Sequence, residues 1–181
     1  ADRARETITS SQRVAAERNA LSAEWAAGMA KASWLLGAEQ RWARGRNDET
    51  RYAAGLPAGA IGLGGNHADF GAFAQSVWPV AGAGVLTAGL RFDAWSIELP
   101  DARREETKVR WSPRLAWSYA LNASNMLHAS AYRAFRPPTL NELVRGFRVG
   151  NVLTQANPRL VPEALSGGEV AWHAQRGALT L

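Results

Sequence analysis

Cysteine is absent from the 181-residue sequence, which excludes a disulfide framework, a thiolate metal site and a cysteine nucleophile. Lysine is scarce, because only Lys31 and Lys108 stand among 21 basic residues and the others are arginine. No run reaches the roughly 18 apolar residues of a membrane-spanning helix, so a helical membrane protein is excluded. A transmembrane β-barrel stays open, because its strands need only about 9–11 residues with one apolar face.

The sequence is rich in tryptophan and arginine. In several segments apolar positions that include tryptophan alternate with polar or small positions that include arginine. Residues 107–121 show this most clearly, with a period of two rather than 3.6. The pattern predicts a long two-faced β-strand. Its apolar face holds Val109, Trp111, Pro113, Leu115, Trp117, Tyr119 and Leu121, and its cationic or small face holds Lys108, Arg110, Ser112, Arg114, Ala116, Ser118 and Ala120.

Weaker alternation predicts further strands, and one segment is ambiguous. The further strands are at 32–42, 70–78, 86–94 and 170–174. Residues 14–36 are alanine-rich with apolar residues near helical spacing, so periodicity alone leaves helix and strand equally open there.

The predicted connections alternate in length. Short turns are expected near 27–30, 79–83, 122–124 and 176–177, and longer polar or Gly/Pro-rich loops at 43–67, 100–106 and 136–162. A tight turn at every second connection is typical of an antiparallel up-and-down meander. Long loops at one end and short turns at the other are typical of outer-membrane barrels.

Tryptophan spacing favours a bilayer over a soluble core, although the soluble core stays open as an alternative. Trp34 and Trp42 share one face and lie roughly 20 Å apart along a barrel axis at a strand tilt near 40°. Trp111 and Trp117 lie roughly 15 Å apart by the same geometry. These spans approach the height of an apolar band bounded by aromatic girdles.

Two adjoining motifs carry a family resemblance. The segment 134–144, with 112–121 before it and 151–163 after it, resembles the late barrel strands of TonB-dependent outer-membrane receptors. Residues 71–78 and 86–95 are similar to an earlier hairpin of these barrels, and the resemblance covers roughly residues 19–181. The matching positions are Phe135, Arg136, Pro138, Thr139, Glu142 and Leu143, then Asn157, Pro158, Leu160, Pro162 and Glu163.

The resemblance implies an all-β fold that is part of a 22-stranded transmembrane β-barrel in the bacterial outer membrane. We expect residues 1–181 to form about eight strands of that barrel, without the plug domain. The implied function is TonB-driven uptake of a scarce solute of the ferric siderophore, haem or cobalamin class. The implied partners are outer-membrane lipid, the remaining barrel and plug, TonB and the small-molecule solute, with no bound cofactor.

No catalytic motif is evident, and we expect no enzyme activity. His67, His128 and His173 are far apart in sequence and show no metal-site spacing. We expect the strand arginines Arg91, Arg110, Arg114 and Arg133 to face a polar lumen. The candidates for contact with an anionic solute lie on the two longest predicted loops and are Arg44, Arg46, Arg51, Tyr52, Arg145, Phe147 and Arg148.

Two alternative functions stay open. The first is a small complete barrel of eight strands with a structural or adhesion role. The second is a soluble basic β domain that binds nucleic acid, because arginine patches bind phosphate. The second is weaker, because a nucleic-acid platform would carry its aromatic residues on the arginine face.

Overall fold

A computed structural model describes residues 7–29, 31–80, 82–149, 152–176 and 179–180. It contains one large antiparallel sheet in the order β1-β2-β3-β4-β5-β6-β9-β10, with β7 and β8 as a separate hairpin. This confirms the predicted all-β meander. The strands are β1 (Ser10–Met29), β2 (Ala32–Ala53), β3 (Leu56–Val80), β4 (Gly84–Leu99), β5 (Arg104–Asn122), β6 (Asn125–Arg136), β7 (Phe147–Val149), β8 (Val152–Thr154), β9 (Glu163–Arg176) and β10 (Leu179–Thr180).

The ambiguous first third of the sequence forms strands. Pairing of β1 with β2 is continuous from Ser10 opposite Arg51 to Met29 opposite Ala32. The turn between them therefore follows Met29, and Gly28 is a strand residue rather than part of the turn. Helical propensity of alanine is a weak preference, and the cross-strand hydrogen bonds and lipid-side packing of a long hairpin outweigh it.

The loop predicted at 43–67 is wrong. β2 runs to Ala53 and β3 starts at Leu56, so only Ala54 and Gly55 connect them. Both have positive φ, 51° and 81°, as a two-residue hairpin turn of this type requires. In β2 beyond Trp42, residues 43–51 are polar or small on both faces, so the apolar alternation that marks a strand in the sequence disappears there.

The other two predicted loops differ in length. Residues 100–103 hold only a short 3-10 turn, Pro100–Ala102, before β5 begins at Arg104. Residues 137–162 form the long connection, which contains helix α1 (Leu140–Val144) and the β7–β8 hairpin. We call the end of the sheet with these features the loop end and the opposite end, with the turns near 31, 82–83 and 123–124, the short-turn end.

The two faces of the sheet have different chemistry. We define the inner face as the one on which α1 packs, against Trp95, Ile97 and Leu99 of β4. Alternation along β4 places Arg91 and Asp93 on this same face. Cross-strand pairing then puts Ser112 and Arg110 of β5 beside them. The inner face is therefore lined by charged and small residues over most of its height.

All four arginines border the inner face. Arg91, Arg110 and Arg114 lie on it, as the pairing of β4 with β5 requires. Arg133 borders an open groove on this face, beside Tyr132, which pairs with Arg114. Strict alternation does not hold at this end of β6, because Phe135, two residues further on, packs on the inner-face cluster.

The outer face carries two aromatic rows. At the loop-end side, the Phe92 ring lies 6.3 Å from Phe70 and 4.9 Å from Trp111, between ring centroids, so three neighbouring strands contribute. At the short-turn side, Trp34 and Trp78 meet edge to face at 5.9 Å. Between the rows the outward residues are small or aliphatic, such as Leu36, Ala72, Leu90 and Leu115. The outer face is thus an apolar band with aromatic borders, as a lipid-facing wall requires.

No helix in the described ranges is long and apolar enough to cross a membrane.

Candidate functional site

A capping box begins α1 and uses two residues of the family motif. The Thr139 hydroxyl accepts a hydrogen bond from the Glu142 backbone N–H at 3.3 Å, and the Glu142 carboxylate accepts one from the Thr139 backbone N–H at 2.8 Å. These contacts satisfy two donors at the start of the helix that would lack intrahelical partners. The backbone hydrogen bond from Thr139 is the first cause that lowers the pKa of Glu142, opposed by burial and supported by Arg136.

Arg136 joins three segments at the loop end. Its guanidinium donates to the Glu163 carboxylate at 3.0 and 3.1 Å and to the Glu142 carboxylate at 3.3 Å. The end of β6, the first turn of α1 and the start of β9 are thereby held together. The hydrogen bonds from Arg136 also lower the pKa of Glu163.

Apolar packing fixes α1 against the inner face. Leu143 is fully buried and Val144 nearly so, and both pack on Trp95, Ile97 and Leu99. Leu63, Phe135, Leu140 and Leu160 cover the edges of this cluster. The helix therefore closes part of the loop end from inside rather than projecting away from it.

Arg104 holds the second half of the long connection. Its guanidinium donates to the carbonyl oxygens of Pro158 and Leu160, the latter at 3.0 Å, and pairs with Glu106. The Asn157 backbone N–H donates to the Glu142 carbonyl at 3.0 Å. Hydrogen bonds from Lys108 and then Arg104 lower the pKa of Glu106. The second motif therefore docks the returning chain on both α1 and β5.

A charged row crosses the middle of the inner face. Arg91 donates to Asp93 at 2.7 Å and to Glu39 at 2.5 Å, two strands away, and Arg41 also pairs with Glu39. The guanidinium crosses Gly71 on β3, where a Cβ atom would lie only 2.1 Å from Arg91 Nη2. Because residue 71 is glycine, Arg91 of β4 can reach Glu39 of β2 across β3. An open groove of about 640 Å³ lies along this row and extends to Arg114 and Tyr132.

A second cavity of about 440 Å³ lies between α1 and strands β1–β3, and we call it the mouth cleft. Arg18, Arg41, Asn47, Asn141 and Arg145 line it. Asn47 is only 5% exposed, and its Oδ1 atom has no hydrogen-bond partner among the residues that the structure describes. The buried Nε of Arg145 likewise has none within the described ranges. Buried polar atoms nearly always have partners, so the cleft offers an unused acceptor and an unused cationic donor.

Three of the seven predicted contact residues, Arg44, Arg46 and Arg145, border the mouth cleft. Arg44, Arg46, Arg51 and Tyr52 lie on β2, not on a loop, which corrects the prediction. Alternation from the outward Trp42 puts Arg44 and Arg46 on the outer face.

Two of these arginines on β2 already have carboxylate partners. Arg46 pairs with Asp48 at 3.0 Å, and Arg51 with Glu49, also at 3.0 Å. The hydrogen bond from Arg51 and then that from Gln12 lower the pKa of Glu49.

The three predicted residues of the long connection lie in different places. Arg145 lines the mouth cleft, and its contact with a solute stays a prediction. Phe147 and Arg148 lie in β7, and their side chains are outside the described part of the structure. The sequence reasoning missed Arg18, Arg41, Asn47 and Asn141. Alternation along the strand could have found Arg18 and Arg41, because both lie on the face opposite to outward tryptophan or leucine residues. No sequence pattern marks Asn47 or Asn141.

The comparisons with known proteins agree with this architecture. The family model described as TonB dependent receptor-like, beta-barrel matches residues 3–181. The copper transporter OprC superposes with a TM-score of 0.69 at 18% identity, over 91% of this chain and 29% of its own. The ferric yersiniabactin uptake receptor FyuA from Yersinia pestis gives 0.65 at 11% identity, over 94% and 28%.

No curated protein matches the chain in sequence. The chain spans less than a third of the length of either solved receptor. The family match nevertheless extends over almost all of its residues, and the outer-face band and the docked inner loop agree with it. The chain belongs to the TonB-dependent receptor β-barrel family, whose members are transport receptors of the bacterial outer membrane.

Proposed function

We propose that the chain forms about eight strands in the wall of a 22-stranded receptor that imports a scarce anionic solute, driven by TonB. The outer face supplies the contact with lipid. The inner face supplies the lumen wall, where a plug domain contributed by another part of the receptor docks on the charged row. The candidate solutes are ferric siderophores, haem and cobalamin, and the mouth cleft favours those that present carboxylate, catecholate or phosphate oxygens to arginine.

The mouth cleft is the observation that carries the choice of an anionic solute. Arg18 and Arg145 line it beside Arg41, which pairs with Glu39. Of its two carboxylates, Asp69 pairs with His67 at 2.9 Å and Glu17 accepts a hydrogen bond from Asn19 at 2.9 Å. An oxygen-rich anion would satisfy the buried Nε of Arg145 and place its hydroxyl or water shell at Asn47.

The two alternative functions receive less support. In the described residues β1 and β10 do not pair, so the eight-stranded sheet does not close on itself. The nucleic-acid function needs free arginines beside aromatic residues. Here Arg91 is paired with two carboxylates. Arg104 and Arg110 do lie over aromatic rings, but Trp95 is fully buried and Phe135 packs on the same apolar cluster, so neither ring is a platform for base stacking.

The experiment uses the complete receptor that contains this chain, expressed in an outer-membrane host with no other uptake route. A ferric catecholate, a ferric hydroxamate, haem and cobalamin are each supplied as the sole source. We expect one of them to support growth in a TonB-dependent manner, and Arg145→Gln to raise the concentration needed. Growth on none of the four, or growth unaffected by loss of TonB, would show that the proposed function is wrong.

A further inference from the structure

The open groove of about 640 Å³ on the inner face runs across six strands. Its lining residues come from β2, β3, β4, β5, β6 and β9, with Glu39 at one end and Glu169 at the other. Neighbouring strands lie about 4.8 Å apart, so the groove is about 24 Å long. This length corresponds to about seven residues of extended polypeptide, whereas a compact solute would cover only part of it.

The four carboxylates that border the groove already have partners within the wall. Glu39 and Asp93 accept hydrogen bonds from Arg91, and Glu39 also pairs with Arg41. Asp69 pairs with His67. The Glu169 carboxylate accepts a hydrogen bond from the Ser130 hydroxyl at 3.1 Å. The acidic side chains of the groove are therefore engaged, together with the two arginines of the charged row.

Arg114 is a cation of the groove that has no such partner. Its direct cross-strand neighbours are Gly89 on β4 and Tyr132 on β6, and neither is acidic. Within the residues that the structure describes, Arg114 makes no ion pair, and its side chain is exposed. Arg133 borders the groove as well, but Arg114 is the residue that the pairing of β4 with β5 fixes on this face.

The wall around Arg114 carries little side-chain bulk. Gly89 has no side chain, and the nearest residues of β5 on the same face are Ser112 and Ala116. The Tyr132 ring leans towards β9, because a Cβ atom at Gly167 would lie 2.8 Å from Tyr132 Cζ. The Arg114 guanidinium can therefore be reached from the lumen, with room beside it for the main chain of another segment.

Arg114 lies at the middle height of the apolar band. Leu115, the next residue, points outward between Trp111 and Trp117. A plug that fills the lumen at this height would remove water from the guanidinium. Burial of a charge is costly unless the charge is paired, and a carboxylate matches the planar fork of arginine with two hydrogen bonds.

We propose that this groove holds a segment of the plug domain and that Arg114 binds a carboxylate of that segment. Charge complementarity selects the group, since the carboxylates of the groove are engaged and Arg114 is not. The length of the groove favours a polypeptide over the solute. The proposal rests on the proposed function, because it requires that the chain be the wall of a receptor that contains a plug.

The test is zero-length crosslinking of the complete receptor, purified in detergent without solute or TonB. Arg114→Lys supplies an amine, which a carbodiimide couples to a carboxylate in contact with it. We expect mass spectrometry of the digest to show residue 114 joined to an aspartate or glutamate of the plug. Lys108 lies 2.6 Å from Glu106, so a link between these two residues is the internal positive control in the same sample.

Arg13→Lys is the matched control variant, because Arg13 is exposed and lies opposite Asp48 on the outer face. It should give no link to the plug. A link from residue 114 only to carboxylates of this chain, or no link when Lys108 and Glu106 are joined, would overturn the proposal. Loss of solute affinity in Arg114→Gln without a plug link in Arg114→Lys would overturn it as well and assign Arg114 to the solute.

A charge exchange gives a second measurement. Arg114→Glu should raise the rate at which a protease cleaves the plug at least about tenfold, because two carboxylates then face each other. A lysine in place of the crosslinked plug residue should restore the original rate in the same receptor. Equal cleavage rates in the wild type and Arg114→Glu would contradict the contact. Neither measurement requires transport, so failure of solute import and failure of the plug contact are distinguishable.

Discussion

Arg136 shows how one side chain can order a long connection. It contacts carboxylates from both ends of the segment 137–162 while its own backbone ends β6. The two glutamates would repel each other without it, because both carry a negative charge at neutral pH. Arginine suits this position better than lysine, since its planar fork presents several donors at fixed angles.

Acid should release this connection. Glu142 and Glu163 both have pKa values below the ordinary 4.5 in the folded state. Their contribution to docking is therefore complete above about pH 4.5 and lost as pH falls through the lower folded-state values.

The absence of cysteine permits a clean measurement of this release. A spin label at Arg159→Cys, an exposed position, should stay immobile at pH 6 and become mobile as the pH is lowered well below 4.5. Arg136→Gln should shift this release to a higher pH, because the two carboxylates lose the partner that lowers their pKa values. A release at the same pH in the wild type and Arg136→Gln would contradict the role of the two carboxylates.

Gly71 leaves room for the Arg91 guanidinium because it has no side chain. Gly71→Ala would place a methyl group where Arg91 Nη2 now lies, so we expect the Arg91–Glu39 contact to break while Arg91–Asp93 persists. The change should lower the thermal stability of the folded barrel. Gly59→Ala is the matched control, since a methyl group added there would meet no atom of the described residues within 4 Å. Equal melting temperatures for the two variants would show that the connection across β3 contributes nothing.

At the scale of elements, α1 is held chiefly by burial. It has only five residues, too few to be stable alone, so its conformation depends on the cluster with Trp95. Leu143→Ala should cost about 2–5 kcal/mol of docking free energy, because the side chain is fully buried. Leu165→Ala, at a position 59% exposed, should cost far less. Protease cleavage within 145–156, compared between the two variants, measures the difference.

The outer face of β5 is the clearest test of the lipid contact. Leu115 lies outward between Trp111 and Trp117, so Leu115→Arg should cost about 2–4 kcal/mol near the bilayer midplane. Ser112→Arg on the inner face is the control and should cost little. Denaturant unfolding in lipid vesicles gives both values, and equal costs would argue against a membrane on that side.

At the scale of the whole molecule, the sheet has two open edges. β1 pairs only with β2, and β10 only with β9, in the residues that the structure describes. Unpaired backbone groups are not tolerated in hydrocarbon and promote edge-to-edge association in water. The 181-residue chain refolded by itself in detergent should therefore aggregate. A β-rich monomer with a two-state melt, seen by circular dichroism and light scattering, would contradict this expectation.

The sequence predicted most reliably those features that depend only on residues close together along one strand. The faces of β5 follow from alternation alone, because side chains of an extended chain point to opposite sides at every step. It failed at 43–67, because residues 43–51 are polar or small on both faces of β2 and show no apolar period.

The sequence by itself thus determined the meander, the lipid-facing aromatic rows and the family motif, because each of them depends on a pattern of residues that are close together in the sequence. Only the tertiary structure decided which distant residues meet. The mouth cleft needs Asn47 of β2 beside Arg145 after α1, and the charged row needs Arg91 of β4 within reach of Glu39 on β2. Register and loop docking create these contacts, and neither leaves a local pattern in the sequence.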